Sequence, residues 1–73
     1  MPKLHSGKKI VKALKRIGFE TVSQKGSQIK MRRIFKGNVY TVIAPDHKEV
    51  ALGTFQSVLK QAGITKEELE ENI

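Results

Sequence analysis

Residues 25–45 read Lys25-Gly26-Ser27-Gln28-Ile29-Lys30-Met31-Arg32-Arg33-Ile34-Phe35-Lys36-Gly37-Asn38-Val39-Tyr40-Thr41-Val42-Ile43-Ala44-Pro45. Two runs, Ser27 to Phe35 and Val39 to Ala44, carry β-branched and aromatic residues and are parted by the turn residues Lys36-Gly37-Asn38, which is a hairpin signal. Pro45 has no N–H to give to a ladder and stops the second run. Upstream, Lys25-Gly26 closes a shorter strand from Phe19 to Gln24. Side chains alternate across a strand, so Gln28, Lys30 and Arg32 share one face and Ile29, Met31 and Arg33 the other. The first set belongs in solvent and the second mostly in a core. The register of the second hairpin stays open. A three-residue loop sets Phe35 opposite Val39 and Met31 opposite Ile43, whereas a two-residue Gly37-Asn38 loop turns Tyr40 and Val42 to the core.

Towards the N-terminus, Ile10, Val11, Leu14 and Ile17 recur on one face of a helix, with Ser6 as N-cap and Gly18 as the left-handed residue that ends it. Lys8, Lys12, Lys15 and Arg16 point away from that stripe and read as a solvated face. The lysines near the start oppose the helix dipole, so local helix stability does not account for them. Towards the C-terminus, Thr54 caps a second helix bearing Phe55, Val58, Leu59 and Ala62 on one face, with Gly63 at its end. Thr65-Lys66-Glu67-Glu68 is a capping box that opens a short last helix containing Leu69. The fold class is therefore α+β, a two-layer sandwich of helix, three-stranded antiparallel sheet and helix, with a short C-terminal helix. The outer sheet face, bearing Gln28, Lys30 and Arg32, is expected to be open.

The chain has 73 residues, enough for one small domain spanning 1–73. A domain this size buries only about 60% of its unfolded surface, so its stability margin is narrow. No cysteine is present to supplement the core. No apolar run approaches the roughly 18 residues of a membrane span, and Met1-Pro2-Lys3-Leu4-His5 lacks a secretory apolar region, which predicts a cytoplasmic protein. The net charge is +7 and unevenly spread. Residues 1–36 hold 11 Lys and Arg against Glu20 alone, or +10, while residues 37–73 hold Lys48, Lys60 and Lys66 against six acids, or −3. A basic half points to a polyanionic partner. The two histidines lack metal-ligand spacing and the acids gather at the C-terminus, so neither a metal nor another cofactor is expected.

Four segments together resemble the HicA toxin family: Lys8 to Phe19, its opening helix; Lys25-Gly26-Ser27-Gln28-Ile29-Lys30-Met31, its Gly-Ser-His segment with Gln in place of His; Pro45-Asp46-His47-Lys48-Glu49-Val50, its Pro-x-His segment; and Leu52 to Ile64, its Gly-Thr helix. The resemblance spans about residues 8–69. It implies a fold similar to double-stranded RNA-binding domains, a metal-independent ribonuclease acting on mRNA, and silencing by a HicB-type antitoxin. It also implies that the family's catalytic histidine corresponds to Gln28. RNA cleavage without a metal needs a group that takes the 2′-OH proton or protonates the leaving oxygen, and imidazole can do either near neutral pH. A glutamine amide can do neither, although it can hydrogen-bond a phosphate or a base edge.

Three readings of Gln28 follow. It is an inactivating change, or it is native to an RNA-binding relic or antitoxin decoy, or His47 or His5 takes over its task. His47 itself reads either as a turn-capping residue or as a helper that contacts RNA or antitoxin. His5 is assigned no specific role. Lys25, Gly26 and Ser27 in the turn, Lys30 and Arg32 on the open face, and Arg33 and Lys36 extending the basic run are the candidate RNA-binding residues. Two alternatives to the enzyme remain. A non-catalytic RNA-binding module is one, although the last main helix begins Thr54-Phe55-Gln56-Ser57 without the lysine cluster of double-stranded RNA binders. A protein whose basic face docks an acidic antitoxin is the other.

Overall fold

The computed structural model describes residues 4–73; Met1-Pro2-Lys3, part of the stretch read above for a secretory signal, lie outside the described residues. Along the chain come α1 (Gly7–Ile17), β1 (Glu20–Lys25), β2 (Gln28–Phe35), β3 (Asn38–Pro45), α2 (Leu52–Ala62) and α3 (Lys66–Glu70). The strands form one antiparallel sheet in the order β1-β2-β3. The helices lie on one of its faces and the other is open, as the α+β reading expects.

The strand pairing shows the register adopted. Lys25 pairs with Gln28, leaving Gly26-Ser27 as a two-residue loop whose first residue has φ +60°, where glycine carries no Cβ penalty. Phe35 pairs with Asn38, so the second loop is Lys36-Gly37, with φ +52° and +79°. Positive φ at both loop residues is the signature of a type I′ turn, whose twist matches that of the strands it joins. The loop thus has two residues, but one position earlier than Gly37-Asn38. Met31 lies opposite Val42, and Val42 and Ala44 are buried while Tyr40 is half-buried. Neither of the two registers left open is adopted, but the core-facing set of the second, Tyr40 and Val42, is. A shift in the β1–β2 register between Thr21 and Ser23 marks a bulge at Val22.

Ser6 caps α1, its hydroxyl oxygen accepting from the Lys9 N–H at 3.2 Å, and Gly18 closes it with φ +128°. Ile10, Val11, Ala13 and Leu14 are buried against the sheet, joined by Phe19 just past the helix. The start of α2 differs from the expectation at Thr54. The helix begins at Leu52, with Ala51 as a cap that makes no side-chain hydrogen bond. The reason is tertiary: Val50, 1% exposed, donates its N–H to the His5 carbonyl at 2.8 Å, and Phe55 N–H bonds the Ala51 carbonyl at 2.9 Å. The chain is held at Val50 and turns helical at once, so Thr54 lies inside the first turn. Gly63 (φ +68°) ends α2, and Thr65 caps α3 by accepting from Glu68 N–H at 3.1 Å. Leu69 of α3 is fully buried and joins Ile10, Leu14, Met31, Val42 and Val58 in a single core.

His5, given no role by the sequence, joins the N-terminal arm to the last helix. Its Nε2 lies 3.0 Å from Glu70 Oε2 and its ring 5.4 Å from that of Phe55.

Candidate functional site

Gln28 is the first residue of the central strand, exposed on the open face immediately after the Gly26 turn. Its cross-strand neighbours are Lys25 on β1 and Pro45 on β3. Directly opposed residues of an antiparallel pair share a face. Lys25 therefore projects beside Gln28 on the open side. Lys30, two residues along β2, lies between Ser23 and Ile43, and Arg32 between Glu20 and Thr41. The turn is braced by the Gln24 side-chain amide, which donates to the Gly26 carbonyl at 3.3 Å.

The segment after β3 is stitched to this end of the sheet by its backbone. Asp46 N–H donates to the Ser27 carbonyl at 2.6 Å, and Gly7 N–H donates to the His47 carbonyl at 2.8 Å. The Gly26-Ser27-Gln28 turn, the Pro45-Asp46-His47 segment and the first turn of α1 therefore meet at one corner. Glycine is required at position 7, because a Cβ there would lie 1.9 Å from the Pro45 carbonyl oxygen. His47 is exposed and, with Ser6, Lys8, Asp46 and Lys48, lines a shallow hollow at the start of α1.

The candidate residues therefore divide. Lys25, Gly26, Ser27, Gln28 and Lys30 gather at this corner and Arg32 continues the row, while the His47 segment is tied to the corner through its backbone and His47 itself lines the hollow at the start of α1. Arg33 and Lys36 are not brought there. Arg33 points to the helix-covered side, half-buried, with its guanidinium 4.2 Å from the Phe35 ring centroid and 5.9 Å from that of Phe19. Lys36 sits in the opposite turn, its ammonium 5.3 Å from the Phe35 ring. Seven strand residues, about 24 Å at 3.4 Å each, separate that end of β2 from Gln28. A basic run in sequence becomes two sites because alternation sends neighbouring residues to opposite faces.

Two features escape the sequence reading. Lys8 and Lys48 stand in the hollow with His47; Lys48 could have been suspected as the neighbour of His47, but Lys8 arrives only through tertiary contact. The open face also carries hydrocarbon: Ile34 is 68% exposed and pairs directly with Val39, 60% exposed, with Ile43 nearby beside Lys30. Alternation does place Ile34 on the Gln28 face, so that signal was present. Among the described residues no three His, Asp or Glu side chains are grouped so that they could share a metal ion, and no helix is long and apolar enough to cross a membrane.

What this corner offers chemically is an exposed amide at a strand end with Lys25 and Lys30 on the same face, and the backbone of the His47 segment tied to the adjoining turn. A family model described as the HicA toxin of bacterial toxin–antitoxin matches residues 7–64. No curated protein matches the chain in sequence.

Proposed function

The chain belongs to the HicA toxin family, and from that premise we propose that it is a single-domain toxin built as a metal-independent mRNA endoribonuclease, with Gln28 at the position of the general acid–base histidine. In this reading it works in the cytoplasm and is held by a HicB-type antitoxin. Lys25, Lys30 and Arg32 engage phosphates of the RNA, Arg through a two-pronged contact and Lys as a point charge. Gly26 and Ser27 let the backbone of the turn come close to the strand. His47 assists from the neighbouring segment. Binding of this kind follows the backbone and weakens with salt.

The observation that supports the reading most is the convergence at one corner. A strand-end side chain, an adjoining glycine turn and the His47 segment are tied together by the Asp46–Ser27 hydrogen bond. An imidazole at position 28 would stand exposed at the start of the central strand, where a bound RNA strand could reach it. Gln28 offers hydrogen bonds but no proton-transfer capacity at neutral pH. General acid–base catalysis is typically worth 10²–10⁴-fold, so this chain is expected to cleave RNA slower by about that factor than its histidine counterpart.

Gln28 also favours a second reading, in which the chain binds RNA or antitoxin without cutting. One assay separates the two: cleavage of a labelled mRNA by this chain and by Gln28→His, both with chelator present. Cleavage by the histidine variant alone supports the ribonuclease scaffold. Equal cleavage by both would sink the assignment of position 28. If neither cuts yet both bind RNA, the binding module replaces the enzyme.

A further inference from the structure

We propose that the outward row Lys8, Lys12 and Lys15 of α1 is a second phosphate-binding track, along which an RNA strand leaves the Gln28 corner. The proposal rests on the RNA reading above and specifies the strand's path.

Four observations converge on it. First, α1 carries five cations and no acid within 11 residues. Among the described residues the single ion pair is His5 with Glu70, so none of the five is neutralised by a carboxylate at ion-pair distance. Second, placement on the helix separates two rows. At 100° per residue, Lys9 and Arg16 fall on the Ala13 side of the exposed face and Lys8 and Lys15 on the Val11 side, with Lys12 central between them, bordering both Lys15 and the hollow it lines with Lys9, Arg16 and Ile73. Arg16 donates to the Asn72 carbonyl at 2.9 Å, which places its row beside the acidic C-terminal end, with Glu67, Glu68 and Glu70 in α3 and Glu71 just after it. The Lys8 row flanks the opposite side of the helix.

Third, the row begins at the corner already described. Lys8 lines the same hollow as His47, and Gly7 is pressed on the Pro45 carbonyl, whose residue pairs with Gln28. From Lys8 to Lys15 the helix rises about 10 Å, longer than one phosphate step of a nucleic-acid strand, about 3.4 Å along a duplex axis. Fourth, the alternative path along the sheet runs into hydrocarbon. Beyond Arg32 the open face presents Ile34 and Val39, which offer a phosphate nothing. Lys8, in the first turn, also opposes the helix dipole, and the solvated-face reading gives no reason for it to be there. A track for polyanions does.

The test compares this chain with two double variants of equal net charge, +5 each after loss of two from +7. Lys12→Gln with Lys15→Gln removes the track beyond the corner, and Lys60→Gln with Lys66→Gln removes two exposed cations from α2 and α3. Lys and Gln have similar helix propensity, and all four side chains are exposed, so the fold is retained. Binding of a fluorescent single-stranded oligouridine is titrated across a salt series. The α1 double is expected to bind on the order of ten-fold more weakly and to lower the salt slope by about 1.4, at roughly 0.7 per lost phosphate contact. The other double is expected to keep the parent slope, and Lys12→Arg with Lys15→Arg to restore it. Equal losses in both doubles, or no change in the α1 double, would overturn the track while leaving the RNA reading intact. If the parent chain binds no RNA at all, the RNA reading fails and takes the track with it.

Discussion

Lys36 is the one non-glycine residue among those described whose φ is positive, at +52°. Left-handed backbone costs an L-residue with a Cβ roughly 1–2 kcal/mol, less for Asn, which is favoured at this first position of a type I′ turn. Lys36→Asn is therefore expected to stabilise the chain by roughly 0.5–1 kcal/mol, read as a higher urea midpoint at unchanged slope. An unchanged or lower midpoint would mean that the Lys36 contact with the Phe35 ring outweighs the backbone relief. Gln28 shows a different lesson at the same scale. It is exposed at the start of β2, so exchange for histidine should change proton transfer and leave stability nearly untouched.

Among the elements, α1 opposes propensity to packing. Alanine in place of an exposed helical glycine is worth about 1 kcal/mol of helix stability. At Gly7, however, the added methyl would meet the Pro45 carbonyl at 1.9 Å. Gly7→Ala is expected to destabilise by about 1–3 kcal/mol, as overpacked sites do, and to weaken RNA binding by displacing the α1 start from the Gln28 corner. Thermal melts and the oligouridine titration together check it; a stabilised variant would show that the helix can shift freely. α2 invites the reverse change. Its N-cap, Ala51, has an extended ψ of 148° and makes no side-chain hydrogen bond. Ala51→Ser should supply an acceptor for the open N–H groups and add about 0.5–1 kcal/mol, seen as a rise in denaturation midpoint.

For the molecule as a whole, the narrow stability margin makes the two faces of the sheet unequal. Met31 and Ile34 are both apolar residues of β2, but Met31 is 0% exposed and Ile34 68% exposed. Met31→Ala should cost about 2–5 kcal/mol through lost burial and cavity formation. For a domain of this size that is a large fraction of its total stability. Ile34→Ala should fall within about 0.5 kcal/mol of the parent. Comparable losses in the two variants, measured by chemical denaturation, would mean that the open face is covered in solution.

Much of this architecture was written in local pattern. Period-3.6 and period-2 spacing, the Ser6 and Thr65 caps, and the glycines at 18 and 63 depend on residues a few positions apart, and such contacts form wherever the chain goes. They defined six elements, the two-layer class and the Gln28 face before any tertiary contact was known. Tertiary structure decided what depends on residues far apart in sequence. It chose Lys36-Gly37 as the loop, because only that register buries Met31 on Val42. It started α2 at Leu52, because Val50 is anchored to His5. It split the basic run, drawing Arg33 onto Phe19 and Phe35, and it brought Lys8 to His47 by seating Gly7 on Pro45. A sequence specifies which side chains share a face, but which faces meet is settled by burying them together.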